Sequence, residues 1–255
     1  MKIIPFLLLI VSLAVAQKPT LQKDRQVLFD FRVDRNAAAS KISAATEKSV
    51  LSKVFRKYLT DTNQCNADFD MSDGADPLAA ARKAGQIVPS IFESTTGSFT
   101  ALGQTQTLYV ISVSECNASH ADNFGTKRVA IFSGQQLVAD LDVDFKSSIA
   151  RKTDLNSDGI DELLMVTSDI HQGVVDELAA LFSFKNGRLQ VIQDFGSVIQ
   201  DECEPLRPGS TTRAAVLYLS DVVPGNMPKL TMDHFKAGCR GAKRWRFLSS
   251  GKIQF

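Results

Sequence analysis

The run Asp154-Leu-Asn-Ser-Asp-Gly-Ile-Asp-Glu162, continuing straight into Leu-Leu-Met-Val-Thr, constrains the fold of this chain more than any other stretch. Asp154, Asn156 and Asp158 set side-chain oxygens at alternate positions, and Gly159 permits a sharp bend just after them. A backbone curled in this way aims its oxygens at one centre. That is the donor set of a hard cation such as calcium, which takes about 6–8 oxygen ligands. Ile160 offers its backbone carbonyl and Glu162 a further carboxylate, with Asp161 a spare one. The candidate metal ligands are therefore Asp154, Asn156, Asp158, Ile160 and Glu162, and calcium is the expected ion.

An EF-hand shares the D-x-N-x-D-G opening but carries a bidentate Glu at its twelfth position and then a helix. Here the twelfth position is Met165, and a strand-like apolar run follows. The run D-L-N-S-D-G-I-D-E-L-L-M-V instead resembles the calcium loops of FG-GAP and VCBS-type repeats, the blades of integrin-like β-propellers. The resemblance is confined to this stretch. It implies the same five ligands, a strand that leaves the loop directly, and an ion with a structural role.

The N-terminus points to export. Lys2, the apolar run Ile3 to Val15 and Ala14-Val15-Ala16 read as a signal peptide over residues 1–16, cleaved before Gln17. The apolar run is shorter than the roughly 20 residues of a membrane span, so a secreted or periplasmic chain is expected, not an integral membrane protein. Losing Lys2 takes the formal charge from +1 to 0. That balance argues against nucleic acid as an obligate partner. Four cysteines in an oxidising compartment imply two disulfides, with three pairings. Cys65–Cys116 and Cys203–Cys239 are favoured. No pair has C-x-x-C spacing, which argues against a zinc ribbon or redox motif.

Residues 17–96 read as a helical N-terminal region. Val27, Phe29, Phe31 and Val33 alternate as in a strand. Residues 35–59 are helix-prone, with Leu51, Val54, Phe55 and Tyr58 on one face and a basic cluster of Lys48, Lys53, Arg56 and Lys57 on polar faces. Asp76-Pro77 starts a second helix that Gly85 ends.

Residues 97–255 read as a β-rich domain. Leu108–Ser114, Leu163–Ser168 and Ala214–Ser220 occupy matching places, their last serines 54 and 52 residues apart. Each is followed by a second strand, a glycine turn (Gly134, Gly187, Gly251) and a third strand, and a weaker strand precedes each unit. The expected fold is mainly β: three blade-like, four-stranded antiparallel units in a partial β-propeller or a related curved sheet stack. The segment Asp221 to Lys243 reads as one long loop and a partner-facing surface. Trp245 and Tyr218 read as core or hairpin residues.

No hydrolase, P-loop or dinucleotide motif is present. His120, His171 and His234 all fall after a second strand and are placed on one end of the domain. The leading functional expectation is an exported calcium-binding β-repeat protein, non-catalytic, with a protein or glycan ligand and a structural calcium ion. The alternatives are a secreted metal-dependent hydrolase using the histidine-bearing end, and a structural envelope component. Asn117-Ala118-Ser119 is a glycosylation sequon that matters only in a eukaryotic secretory pathway.

Overall fold

Twelve strands and two α-helices form among the described residues of this computed structural model, which are 25–33, 42–69, 77–116, 126–143, 148–203, 209–240 and 243–251. The expected signal peptide, the sequon and His120 lie outside those residues. Helix α1 (Ala44–Val54) starts at Ser43, whose hydroxyl accepts the amide of Thr46. It occupies the middle of the helix-prone 35–59 stretch. Helix α2 (Pro77–Ala84) has the expected bounds, and Gly85 leaves it at φ 77°.

The first sheet is an antiparallel meander in the order β2 (Ile87–Gly97), β3 (Gln106–Glu115), β4 (Thr126–Ser133), β5 (Gln136–Asp142). Period-2 alternation gives it two apolar faces. Ile111, Val113, Ala130 and Phe132 meet Val50, Leu51, Phe55 and Ala81 of the helices. Leu108, Val110, Val129 and Ile131 meet Leu163, Met165, Ala180 and Phe182 of the second sheet.

That second sheet has eight strands. Seven follow in chain order: β6 (Ser148–Thr153), β7 (Glu162–His171), β8 (Val174–Ser183), β9 (Gln190–Asp201), β10 (Thr211–Ser220), β11 (Lys229–Gly238) and β12 (Arg246–Ser250). The eighth, β1 (Gln26–Asp30), pairs with the C-terminal half of β10, while Thr212–Ala214 of β10 pair with β9. The sheet curls into a half-barrel. Leu164, Val166, Ala179 and Leu181 pack with Leu28, Phe31, Phe195, Val198, Leu217 and Met232 in a second core.

The two sheets also meet along their edges β2 and β6. A bulge between Ile91 and Glu93 frees the Ile91 amide, which donates to Glu47, while Glu93 takes the Ile149 amide at 2.7 Å, next to the bulge of β6. The bulge in β2 also turns Phe92 outward. Burial pushes the Glu93 carboxyl up, opposed by that amide bond.

Mainly β with a helical N-terminal part is the fold, but the three separate blades of a propeller do not form. The first unit is a four-stranded sheet, but its first strand, β2, ends at Gly97: it lies in the stretch read as the end of the helical N-terminal region, and the weak strand expected at residues 98–102 does not form. The second and third units merge. Strand β9 runs unbroken from Gln190 to Asp201, so one strand serves as the last of one unit and the first of the next. Strand β11 fills much of the segment read as the loop Asp221–Lys243. It escaped notice because Asp233 and His234 break its apolar alternation, and both are buried, at 0% and 1% exposure. Asp233 is held there by Arg25 at 3.1 and 2.6 Å and by the hydroxyl of Ser250. Strand β1 differs too. A bulge between Val27 and Phe29 shifts the alternation, so that Leu28 and Phe31 are buried while Val27 and Val33 are exposed.

Both expected disulfides form. Cys65–Cys116 ties the segment after α1 to the end of β3, and Cys203–Cys239 joins the ends of β9 and β11. Loops of 51 and 36 residues closed in this way are each worth roughly 4 kcal/mol on the chain-entropy account.

Strand β7 faces a core on each side, which gives a test. Leu163→Ala and Leu164→Ala, at neighbouring positions of opposite orientation, are each expected to cost about 2–5 kcal/mol in denaturant unfolding. A one-sided strand, solvated on its other face, makes one of the two nearly silent.

Candidate functional site

The acidic loop joins β6 to β7, with a strand on either side and no helix. Its curl is built by its own side chains. Asp154 accepts the amides of Asp158 at 3.1 Å and Gly159 at 2.8 Å, one on each oxygen. The Asn156 side-chain oxygen also accepts from Asp158, and Asp158 accepts from Ile160 at 2.9 Å. Glu162 reaches back to the Leu155 amide at 2.9 Å. Ser157 and Gly159 supply the two left-handed turns, at φ 56° and 80°. Leu155 and Ile160 bury their side chains and pin the loop to the protein. The four expected side-chain ligands thus sit on one curl that Ile160 carries into β7, but the carboxylates of Asp154, Asp158 and Glu162 do not all lie within 4.8 Å of one another.

The electrostatics of the curl are strained. Glu162 is 2% exposed. Burial, reinforced by the charges of Asp158, Asp154 and Asp161, pushes its carboxyl up to about 7, against the favourable Leu155 amide bond. Asp158 is the opposite case. The Lys185 ammonium at 2.8 Å holds its carboxyl below the usual range and is itself raised in return. Lys185 is half exposed, so this pair is a weak surface contact that another cation can displace.

Three neighbouring loops close on the curl, and local sequence pattern pointed to none of them. Asp161, read as a spare carboxylate, instead staples the loop to the end of β2: its carboxylate takes the Ser98 amide at 2.9 Å and its own amide donates to the Ser98 carbonyl at 2.7 Å. Leu102 lies over Gly159, where an added Cβ would stand 2.0 Å from its methyl. Gly225, in the β10–β11 turn, donates its amide to the Asn156 carbonyl. Lys185 arrives on the Asn186-Gly187 turn after β8, whose positive φ values of 59° and 69° are those Asn-Gly favours. That turn was legible in the sequence; that its lysine reaches Asp158 was not.

Of the expected histidine end, His120 lies outside the described residues, and the other two stand on separate strands. His171 closes β7, whereas His234 sits inside β11 opposite Ala215, buried, with Nε2 against the Gly251 carbonyl. In the sheet order, three strands separate β7 from β11. Desolvation pushes the His234 ring below its usual value. Asp201 lies near Cys203 and Cys239, but those sulfurs are joined to each other and are not thiolate ligands.

A separate cleft of about 700 Å³ is lined by Phe31, Arg32, Phe92, Glu177, Asp201 and Trp245 among others. Trp245, read as a core or hairpin residue, is only partly buried there. Tyr218 packs under Arg25 at 4.1 Å from ring to guanidinium. No described helix is long and apolar enough to cross a membrane. No protein-family model matches the chain, and neither a curated protein nor a solved structure shows significant similarity to it.

The raised Glu162 carboxyl has a definite pH signature. Its folded value of about 7 exceeds its ordinary 4.5, so its protonated form stabilises the fold. That contribution is complete below about pH 4.5 and is lost as pH rises to about 7. In chelator, the native chain should lose stability relative to Glu162→Gln across that window, read as the difference between two urea-unfolding profiles. A constant difference between the profiles would show that Glu162 does not titrate high.

Proposed function

We propose that this chain is an exported β-protein whose Asp154–Glu162 loop binds a structural calcium ion, and which binds a protein or glycan ligand without catalysis. The observation that carries the proposal is Glu162: a buried carboxylate raised by burial and by the charges of Asp158, Asp154 and Asp161, at the end of a curled acidic loop. Each carboxylate oxygen keeps a lone pair beyond its amide bond. A divalent cation held by Asp154, Asn156, Asp158, Glu162 and the Ile160 carbonyl would offset their mutual repulsion and free Lys185. The donor set is all oxygen, which suits calcium over zinc or copper.

The loop resembles those of FG-GAP and VCBS repeats in its residues and in the strand that follows. Here it serves a continuous curled sheet. The ion's role would be to hold the start of β7, because β7 carries side chains of both cores. The two disulfides support an oxidising, extracellular setting. Calcium there is abundant enough for a site with a dissociation constant of about 10⁻⁴–10⁻³ M. The cleft of about 700 Å³, with an aromatic wall and charges of both signs, is the surface offered to a ligand.

Thermal unfolding in EDTA and in millimolar calcium tests the ion. Calcium at 100 times its dissociation constant adds about 2.7 kcal/mol, a rise of several degrees in Tm. The rise should be absent with magnesium and absent in Asp158→Ala. An unchanged Tm over calcium concentrations reaching well above millimolar would reduce the loop to an acidic turn.

A further inference from the structure

The formal charge of the chain is close to zero, but its charges are not mixed evenly. From residue 234 to 255 there are six cations, Lys236, Arg240, Lys243, Arg244, Arg246 and Lys252, and no carboxylate. The fold gathers them further. Lys236 of β11 pairs directly with Arg213 of β10 on one side and with Arg246 of β12 on the other. Three cations thus stand in a row across three adjacent strands. Like charges directly opposite each other in a sheet are destabilising. Neither Lys236 nor Arg246 has an ion-pair partner among the described residues, and the buried Nε of Arg213 has no hydrogen-bond acceptor there.

Beside this row runs a groove of about 650 Å³, lined by Lys236, Arg240, Arg244 and Arg246 and by the apolar Phe247 and Leu248, with no acidic residue among the described residues of its wall. Phe247 is 41% and Leu248 48% exposed, although both lie on a strand. The Phe235 ring meets Phe247 edge-on at 5.9 Å and sets its orientation. The Cys203–Cys239 disulfide anchors the segment at the end of β11, one residue before Arg240. Lys243 differs from the others: it leans toward Asp201 and Trp245 on the cleft side.

We infer that this groove binds an acidic polysaccharide, with the arginines holding its carboxylate or sulfate groups. Taking up anions would offset the repulsion among these cations. Three of the four groove cations are arginines, whose planar fork grips carboxylate or sulfate with two parallel hydrogen bonds. The disulfides support an oxidising, extracellular setting, which favours an acidic polysaccharide over nucleic acid as the polyanion. The site is independent of the calcium loop.

The test is binding of the full chain to immobilised dextran sulfate and polygalacturonate, with neutral dextran, single-stranded DNA and phosphatidylglycerol vesicles as comparisons, in EDTA and again in calcium. The native chain should bind at least one acidic polysaccharide and not neutral dextran, with affinity falling as salt rises. Arg240→Gln/Arg244→Gln/Arg246→Gln, all exposed positions, should weaken binding by about tenfold or more. Lys48→Gln/Arg56→Gln, on the other basic cluster, should leave it unchanged. Arg244→Lys/Arg246→Lys keeps the charge and should still lose part of the affinity, because the fork is lost. The inference is overturned by no binding at low salt, by equal losses in the two glutamine variants, or by tighter binding to DNA or vesicles than to either polysaccharide. Binding that survives EDTA while calcium leaves Tm unchanged would keep this inference and remove the calcium reading.

Discussion

The hairpin of β7 and β8 is buried on both faces, and everything else is arranged around that constraint. Leu163, Met165, Ala180 and Phe182 fill the core shared with the four-stranded sheet, while Leu164, Val166, Ala179 and Leu181 fill the core of the half-barrel. A slip of one residue in either strand would exchange the two sets and disrupt both cores at once. The acidic loop stands at the entry to β7 and sets where that strand begins. Its Asn156 carbonyl engages the turn after β10, its Asp158 carboxylate the turn after β8, and its Gly159 and Asp161 the β2–β3 loop, so the start of β7 is tied to three neighbouring loops.

Charge is handled by two opposite devices. Asp233 is buried beyond solvent, but Arg25 grips it with both guanidinium nitrogens and stays ionised in turn, so the fold tolerates it. Glu162 is buried with one amide and three carboxylate neighbours, which is why its carboxyl is driven toward neutrality. A structural ion pair satisfies its charge internally. A carboxylate left short of positive charge calls for a proton or a cation from outside. The row Arg213, Lys236, Arg246 is the mirror image on the far side of the same sheet, where cations lack anions.

Much of the local structure was legible. Helix α2 was marked by a Pro at its start and a Gly after its end, the β4–β5 turn by Gly134, and the turn after β8 by Asn186-Gly187. Strands β3, β7, β8 and β10 announced themselves as β-branched and aromatic runs. The loop curl was readable because each donor and acceptor lies within eight residues of its partner. The merging of the second and third units was not readable. Strand β9 bends at Gly196 through a bulge and runs on as one strand, so the two units read separately share it. Strand β11 hid behind Asp233 and His234, whose burial makes sense only once Arg25, 208 residues away from Asp233, and the Gly251 carbonyl are beside them.

The amino-acid sequence by itself determined the β-rich character, the bounds of α2, the even set of cysteines and an oxygen-lined loop leading into a strand, because turn chemistry, capping and side-chain alternation act over a few residues. Tertiary structure alone decided that the units share one curled sheet, that β1 joins β10 instead of standing apart, that Lys185 faces Asp158, and that cations from three strands line up in a row. Those outcomes depend on which distant strands pair and which buried charges meet, and no local pattern carries that information.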